Sequence, residues 1–280
     1  MFKTYINLFK SGHISTGFSP RIPDYATKYW LNQLEKASQK NSKNNFLDIG
    51  AGEGRLTVIL ANSGFKQGTA IEILVNKNHW NKILNKFENI KLKEGLLQEI
   101  VGTLETKEKF DFVMLSEVFE HIPPKDVPDF LSALKRVVSD NGKVFLTTPN
   151  SKVQGPAEQS HIWYEIFPYG HHKHYNYLEL KELLFNHGFE VEWHAFECNK
   201  IKEKVYNKFF YPTARLDQKL LTTKKLPVFI RNIYKFWSYP FILLTRSIFW
   251  FLAKFITKYE TKHNNENNAA TMMLLLKKSK

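Results

Sequence analysis

The chain has 280 residues, 43% of them apolar and 24% charged, a balance that builds a globular core and excludes a wholly disordered polymer. Its one cysteine, Cys198, excludes an intramolecular disulfide and a cysteine-rich zinc centre and fits a reducing compartment. The net charge of +13 is localised: residues 1–198 hold 23 Lys and Arg against 23 Asp and Glu, whereas residues 199–280 hold 17 against 4, the pattern of a neutral domain with a basic appendage.

In chain order, residues 1–21 read as loop, and Asp24 caps a predicted helix that runs to about Lys36, so 1–45 forms an N-terminal loop and helix. The first residues lack an apolar run of signal-peptide length, and no stretch of about 20 apolar residues is free of charge. The expected location is cytoplasmic, peripheral on the inner face of a membrane if the appendage binds one. From residue 46 strands and helical patterns alternate. Strands are predicted at 46–49, 68–72, 90–93, 110–115, 143–148 and 189–196. Helices are predicted at 55–63, 75–87, 126–139 and 178–187. The apolar run 270–276 has strand length and returns to the same sheet. This predicts an α/β fold: a doubly wound, mainly parallel sheet of the seven-strand type, with a helical insertion before the last strand. The corresponding boundaries are 46–198 for the main domain, 199–265 for the insertion, and 266–280 for the final strand and tail.

Between the first strand and its helix lies Gly50-Ala51-Gly52-Glu53-Gly54. A glycine loop in that context brings backbone N–H groups close to a ligand. The spacing is G-x-G-x-G with Arg55 following, a poor match to the dinucleotide fingerprint G-x-G-x-x-G. Glu72 closes the second strand, where an acid accepts both hydroxyls of a ribose. After the fourth strand comes Ser116-Glu117-Val118-Phe119-Glu120-His121, at the carboxyl edge of the sheet. On a helical turn Glu117, Glu120 and His121 fall on one side. Three readings stand open: the carboxylates order the loop, His121 is a general base, or Glu117, Glu120, His121 and a later histidine hold a divalent cation such as Mg²⁺ or Zn²⁺.

The loop 47–54, Glu72, the 110–122 block and the 142–150 block together resemble class I S-adenosylmethionine-dependent methyltransferases. Within that class they are most similar to the ubiquinone-biosynthesis O-methyltransferase type. The resemblance covers about residues 22–198 and the final strand. It implies that Gly50, Gly52 and Gly54 pass under the methionine part of S-adenosylmethionine, that Asp48 places its amino group and that Glu72 holds its ribose. Ala51, Ile73, Leu96 and Ser116 complete the implied cofactor set; Leu96 stands where the family often carries an Asp for the adenine. The resemblance aligns His171 with a typical histidine, giving Glu117, Glu120, His121 and His171 as catalytic residues or as ligands of a divalent cation.

The implied reaction is methyl transfer from S-adenosylmethionine to a small-molecule, lipid-linked or glycan-linked acceptor, at oxygen. The alternatives are an RNA 3′-end 2′-O-methyltransferase and a non-catalytic cofactor-binding scaffold at a membrane. Aromatic residues of 151–170 read equally as a substrate lid or as ordinary loop filling. Residues 226–259 hold eleven aromatics beside Arg231, Lys235, Arg246, Lys254 and Lys258, with Pro240 dividing the run into two helices. The second half forms a basic amphipathic pattern suited to an anionic membrane surface or to internal burial, with nucleic acid ranked behind both.

Overall fold

The computed structural model describes residues 45–103, 108–157, 171–199, 201 and 264–279, together with single helical positions between 233 and 263. The predicted N-terminal helix, the aromatic stretch 158–170 and most of the insertion lie outside the described residues. The chain divides into two compact units, one of residues 34–197 and 264–280, the other of 1–33 and 198–263.

The first unit is built on a seven-stranded sheet. Its elements are β1 (Asn45–Ile49), α1 (Arg55–Asn62), β2 (Gln67–Glu72), α2 (Lys77–Leu84), β3 (Ile90–Glu94), α3 (Leu97–Thr103), β4 (Phe110–Ser116), α4 (Val127–Val137), β5 (Val138–Pro149), α5 (Ser151–Gln154), α6 (Tyr177–Asn186), β6 (Phe189–Asn199) and β7 (Ala269–Lys278). The spatial order is β3-β2-β1-β4-β5-β7-β6. Neighbours from β3 through β5 run parallel, and β7 lies antiparallel beside β5. The Rossmann-like architecture is the one expected, including the return of the C-terminal apolar run as the seventh strand.

The local reasons are plain in the residues. Phe46, Leu47, Asp48 and Ile49 are all buried, as a central strand covered on both faces requires. In α4, Val127, Phe130, Leu131, Leu134 and Val137 are buried at helical spacing and lie in the main apolar core. Asn176 caps α6 by accepting the Glu179 N–H at 3.0 Å.

Two differences from expectation bear on the sheet's surroundings. The short helix α3 begins at Leu97, in a stretch for which no element is predicted. The helix at 126–139 stops at Val137, because Val138 already pairs with Phe110 in the sheet. Asp140-Asn141-Gly142 lies within β5, where the register with β4 shifts in a bulge, and Lys143 pairs with Phe112.

The order of the strands positions the site. Chain direction across the sheet reverses between β1 and β4, which are adjacent: Asp48 lies opposite Met114 and Ile49 opposite Leu115. The loops leaving these two strands therefore meet at their carboxyl ends, the switch point where open α/β sheets take ligands.

Candidate active site

The glycine loop leaves β1 in a left-handed conformation, with φ of 67° at Gly50, 55° at Gly52 and 73° at Gly54. An L side chain is strained there, and two of the positions differ in a telling way. A Cβ on Gly50 would lie 2.4 Å from Cγ2 of Val118, so the loop after β4 sits directly against the loop after β1. A Cβ on Gly52 would meet nothing within 4 Å; it faces open space. The loop is held from behind. Trp80 Nε1 donates to the Gly52 carbonyl at 2.9 Å, His79 Nε2 lies 2.8 Å from the Glu53 carbonyl, and the Ala51 N–H donates to the Ile71 carbonyl at 3.0 Å. Trp80 is fully buried, an anchor that motif reading passed over.

Glu72, at the end of β2, accepts the Gly52 N–H at 2.5 Å on one carboxylate oxygen. On the other it accepts the N–H groups of Ile73 and Leu74 at 2.9 and 3.0 Å. The acid thus fixes the loop and its own following turn. Ile73 and Leu96, on the loops leaving β2 and β3, are exposed apolar side chains. Asp48 lies beneath the loop, buried, accepting from Thr57 Oγ1 of α1 at 2.5 Å. Burial raises its pKa to about 7, against the opposing pull of the Thr57 hydrogen bonds.

After β4 the chain turns sharply. Glu117 has φ of 53°, a rare conformation for a residue with a side chain, followed by a single 3-10 turn at Phe119–His121. Two consecutive threonines of β5 receive the two acids. Thr147 Oγ1 donates to Glu117 Oε1 at 2.9 Å and also lies 2.9 Å from Ser116 Oγ, while Thr148 Oγ1 donates to Glu120 Oε2 at 3.1 Å. Burial raises the pKa of both acids. That of Glu120 stands well above the ordinary range, since the Glu117 charge adds to burial. Glu120 Oε1 is buried and meets no hydroxyl or N–H donor among the described residues, while the Glu117 and Glu120 carboxyl groups hydrogen-bond to each other.

The Glu120 carbonyl accepts the backbone N–H groups of His172 at 2.7 Å and Lys173 at 3.3 Å, which brings the histidine segment to the acidic turn. The His121 and His171 rings meet edge to face, their centroids 4.7 Å apart. Ligand atoms of Glu120, His121 and His171 all lie within 4.8 Å of one another, a spacing that suits a metal ion. Glu117, expected as a fourth member, is outside this group and is engaged by Thr147. His174, one of three neighbouring histidines and not singled out by sequence, orients the group. Its Nδ1 lies 2.8 Å from the Gly155 carbonyl, and its Nε2 lies 2.7 Å from His171 Nδ1. A carbonyl only accepts, so His174 carries its proton on Nδ1 and offers Nε2 as acceptor. His171 then donates through Nδ1, and its Nε2 keeps a lone pair. Burial, with positive charge on the neighbouring His121, lowers the His171 pKa to about 4.

The model of the methyltransferase-domain family matches residues 24–194 of this chain. The chain belongs to that family. It is a class I S-adenosylmethionine-dependent methyltransferase in sequence and fold. The ubiquinone biosynthesis O-methyltransferase of Rickettsia bellii is 25% identical over 197 residues, covering 68% of this chain and 77% of that protein. The corresponding enzyme of Rickettsia conorii is 30% identical over 118 residues, 42% of this chain and 39% of that protein. With several of these curated relatives the match spans about half of their length or less. Among solved structures, coclaurine N-methyltransferase bound to N-methylheliamine and S-adenosylhomocysteine superposes with a TM-score of 0.57 at 17% identity, covering 98% of this chain and 79% of that one. That likeness concerns the fold.

Proposed function

We propose that this methyltransferase transfers a methyl group from S-adenosylmethionine to a hydroxyl of a small-molecule acceptor. The observation that carries the reading is the contact of Val118 with Gly50, which sets the acid and histidine cluster directly beside the glycine loop. The open space over Gly52 and the exposed Ile73 and Leu96 fit a bound nucleoside and amino-acid ligand. In this reading the loop 50–54 and Glu72 bind the cofactor, with the carboxylate of Glu72 turned from loop N–H groups toward ribose hydroxyls. When bound, S-adenosylmethionine supplies an electrophilic sulfonium methyl. The protein's own contribution is alignment of the acceptor and removal of its proton. His121 and the lone pair on His171 Nε2 are the groups that receive it.

The spacing of Glu120, His121 and His171, with the lone pair that His174 leaves on His171, favours a second reading of the same cluster: these three residues would hold a divalent cation. Mg²⁺ or Zn²⁺ bound there would lower the pKa of the acceptor hydroxyl as a Lewis acid. The relatives described as ubiquinone biosynthesis O-methyltransferases support oxygen as the accepting atom.

The test is a methyl-acceptor assay with labelled S-adenosylmethionine on phenolic, lipid and RNA fractions, run with and without chelator. Label in small phenolic or lipid products supports the reading. Label confined to RNA ends overturns it in favour of the 2′-O-methyltransferase alternative. Chelator sensitivity restored by Mg²⁺ or Zn²⁺ decides for the cation.

A further inference from the structure

The second unit carries a feature that methyl transfer does not use. Its described residues between 233 and 260 are helical, and the two residues before Pro240, where the division was expected, lie outside the described residues. Trp237, Phe241, Leu244, Ile248, Phe251 and Phe255 follow one another at steps of three or four residues, the spacing of a single helical face. All six are exposed, from 41% at Ile248 to 77% at Trp237. The Phe251 and Phe255 rings touch edge to face at 5.2 Å, so these side chains form a row and are not scattered singly. A contiguous row of large apolar groups marks an interaction surface.

Charge selects the occupant. The stretch that carries this row, 199–280, holds 17 Lys and Arg against 4 Asp and Glu, while the rest of the chain is balanced. A second copy would bring the same positive excess to the contact and be repelled. An anionic bilayer answers both features at once: the acyl boundary receives the apolar row, and the headgroups attract the cations. Among the described residues no helix is long and apolar enough to cross a membrane. We propose that this face seats the protein on an anionic membrane surface, with the helix lying in the interface. The proposal does not depend on which acceptor is methylated.

The test is flotation of the full chain with vesicles of phosphatidylcholine alone and of phosphatidylcholine with one-third phosphatidylglycerol, at low and high salt. The protein is expected to float with the anionic vesicles, to stay behind with the neutral ones, and to be partly released by salt. The double substitution Phe251→Ser, Phe255→Ser weakens the apparent affinity by about tenfold or more. Because both side chains are exposed, it leaves the melting temperature and S-adenosylmethionine binding unchanged. Failure of the wild type to float with anionic vesicles overturns the proposal, as does equal flotation of the double variant. Sedimentation showing a dimer that the same substitutions dissociate also overturns it and assigns the face to a second copy.

Discussion

Thr148 and Glu117 both engage the Glu120 carboxyl: Thr148 Oγ1 donates to Oε2 at 3.1 Å, the Glu117 and Glu120 side chains hydrogen-bond to each other, and buried Oε1 meets no hydroxyl or N–H donor among the described residues. A buried carboxyl oxygen without a donor costs free energy, and the fold retains it beside two imidazoles. That is the arrangement of a group kept for a ligand or a proton. Glu120→Gln preserves the shape and the acceptor for Thr148 but places an amide at the cluster. It is expected to lower methyl transfer about 100-fold or more while leaving urea stability equal or higher. Thr148→Val strands the second oxygen as well, and the same denaturation series should show a loss of about 1–3 kcal/mol.

The two loop glycines separate stability from binding. Gly50→Ala forces a methyl group into Val118 as well as straining the backbone, so it lowers the melting temperature, and Val118→Ala in the same chain restores part of the loss. Gly52→Ala meets no protein atom and carries only the backbone strain of about 1 kcal/mol. In the proposed cofactor site its methyl group would occupy the open space over the loop, so calorimetry should show cofactor affinity falling by far more than the melting curve moves.

Asp48 sets a pH dependence of definite sign. Its folded pKa of about 7 lies above the ordinary value of 3.8, so the folded state binds the proton more tightly. This contribution to stability is fully present below pH 4 and is lost as pH rises from there through 7, about 4 kcal/mol over the whole window. His171, lowered to about 4, gives the opposite slope in an overlapping range, so the difference between wild type and Asp48→Asn isolates the carboxyl. Denaturant midpoints measured from pH 4 to 8 should show Asp48→Asn gaining on the wild type as pH rises. A constant difference contradicts the assignment.

His174 is expected to act as a positioning residue through His171. His174→Ala removes the acceptor that fixes the His171 Nδ1 proton. Long-range nitrogen NMR of the imidazoles should then show His171 passing from one tautomer to a mixture. Zn²⁺ affinity, read by titration, should fall about 10–100-fold.

Much of this was legible in the residues because it depends on local pattern. Period-two and period-3.6 apolar spacing marked the sheet and its helices, and the glycine loop and Glu72 followed from their places at strand ends. What escaped depends on contacts distant in the chain. Nothing in the sequence distinguishes Thr147 and Thr148 from other strand threonines until β5 is paired with β4, which sets them against Glu117 and Glu120. His171 and His174 look alike on paper; the Gly155 carbonyl gives them different roles. The short helix α3 has too few turns for periodicity to declare it, and β5 begins at Val138 because Phe110 supplies its partner.

The account rests on cofactor binding at the glycine loop and Glu72, and calorimetric titration of the folded full chain with S-adenosylmethionine tests it most directly. The account predicts saturable binding at one site per chain, competition by S-adenosylhomocysteine, and a loss on Glu72→Ala of about 1.5–3 kcal/mol, roughly tenfold to a hundredfold in affinity. Absence of binding by folded wild-type protein, or affinity unchanged in Glu72→Ala, would contradict it.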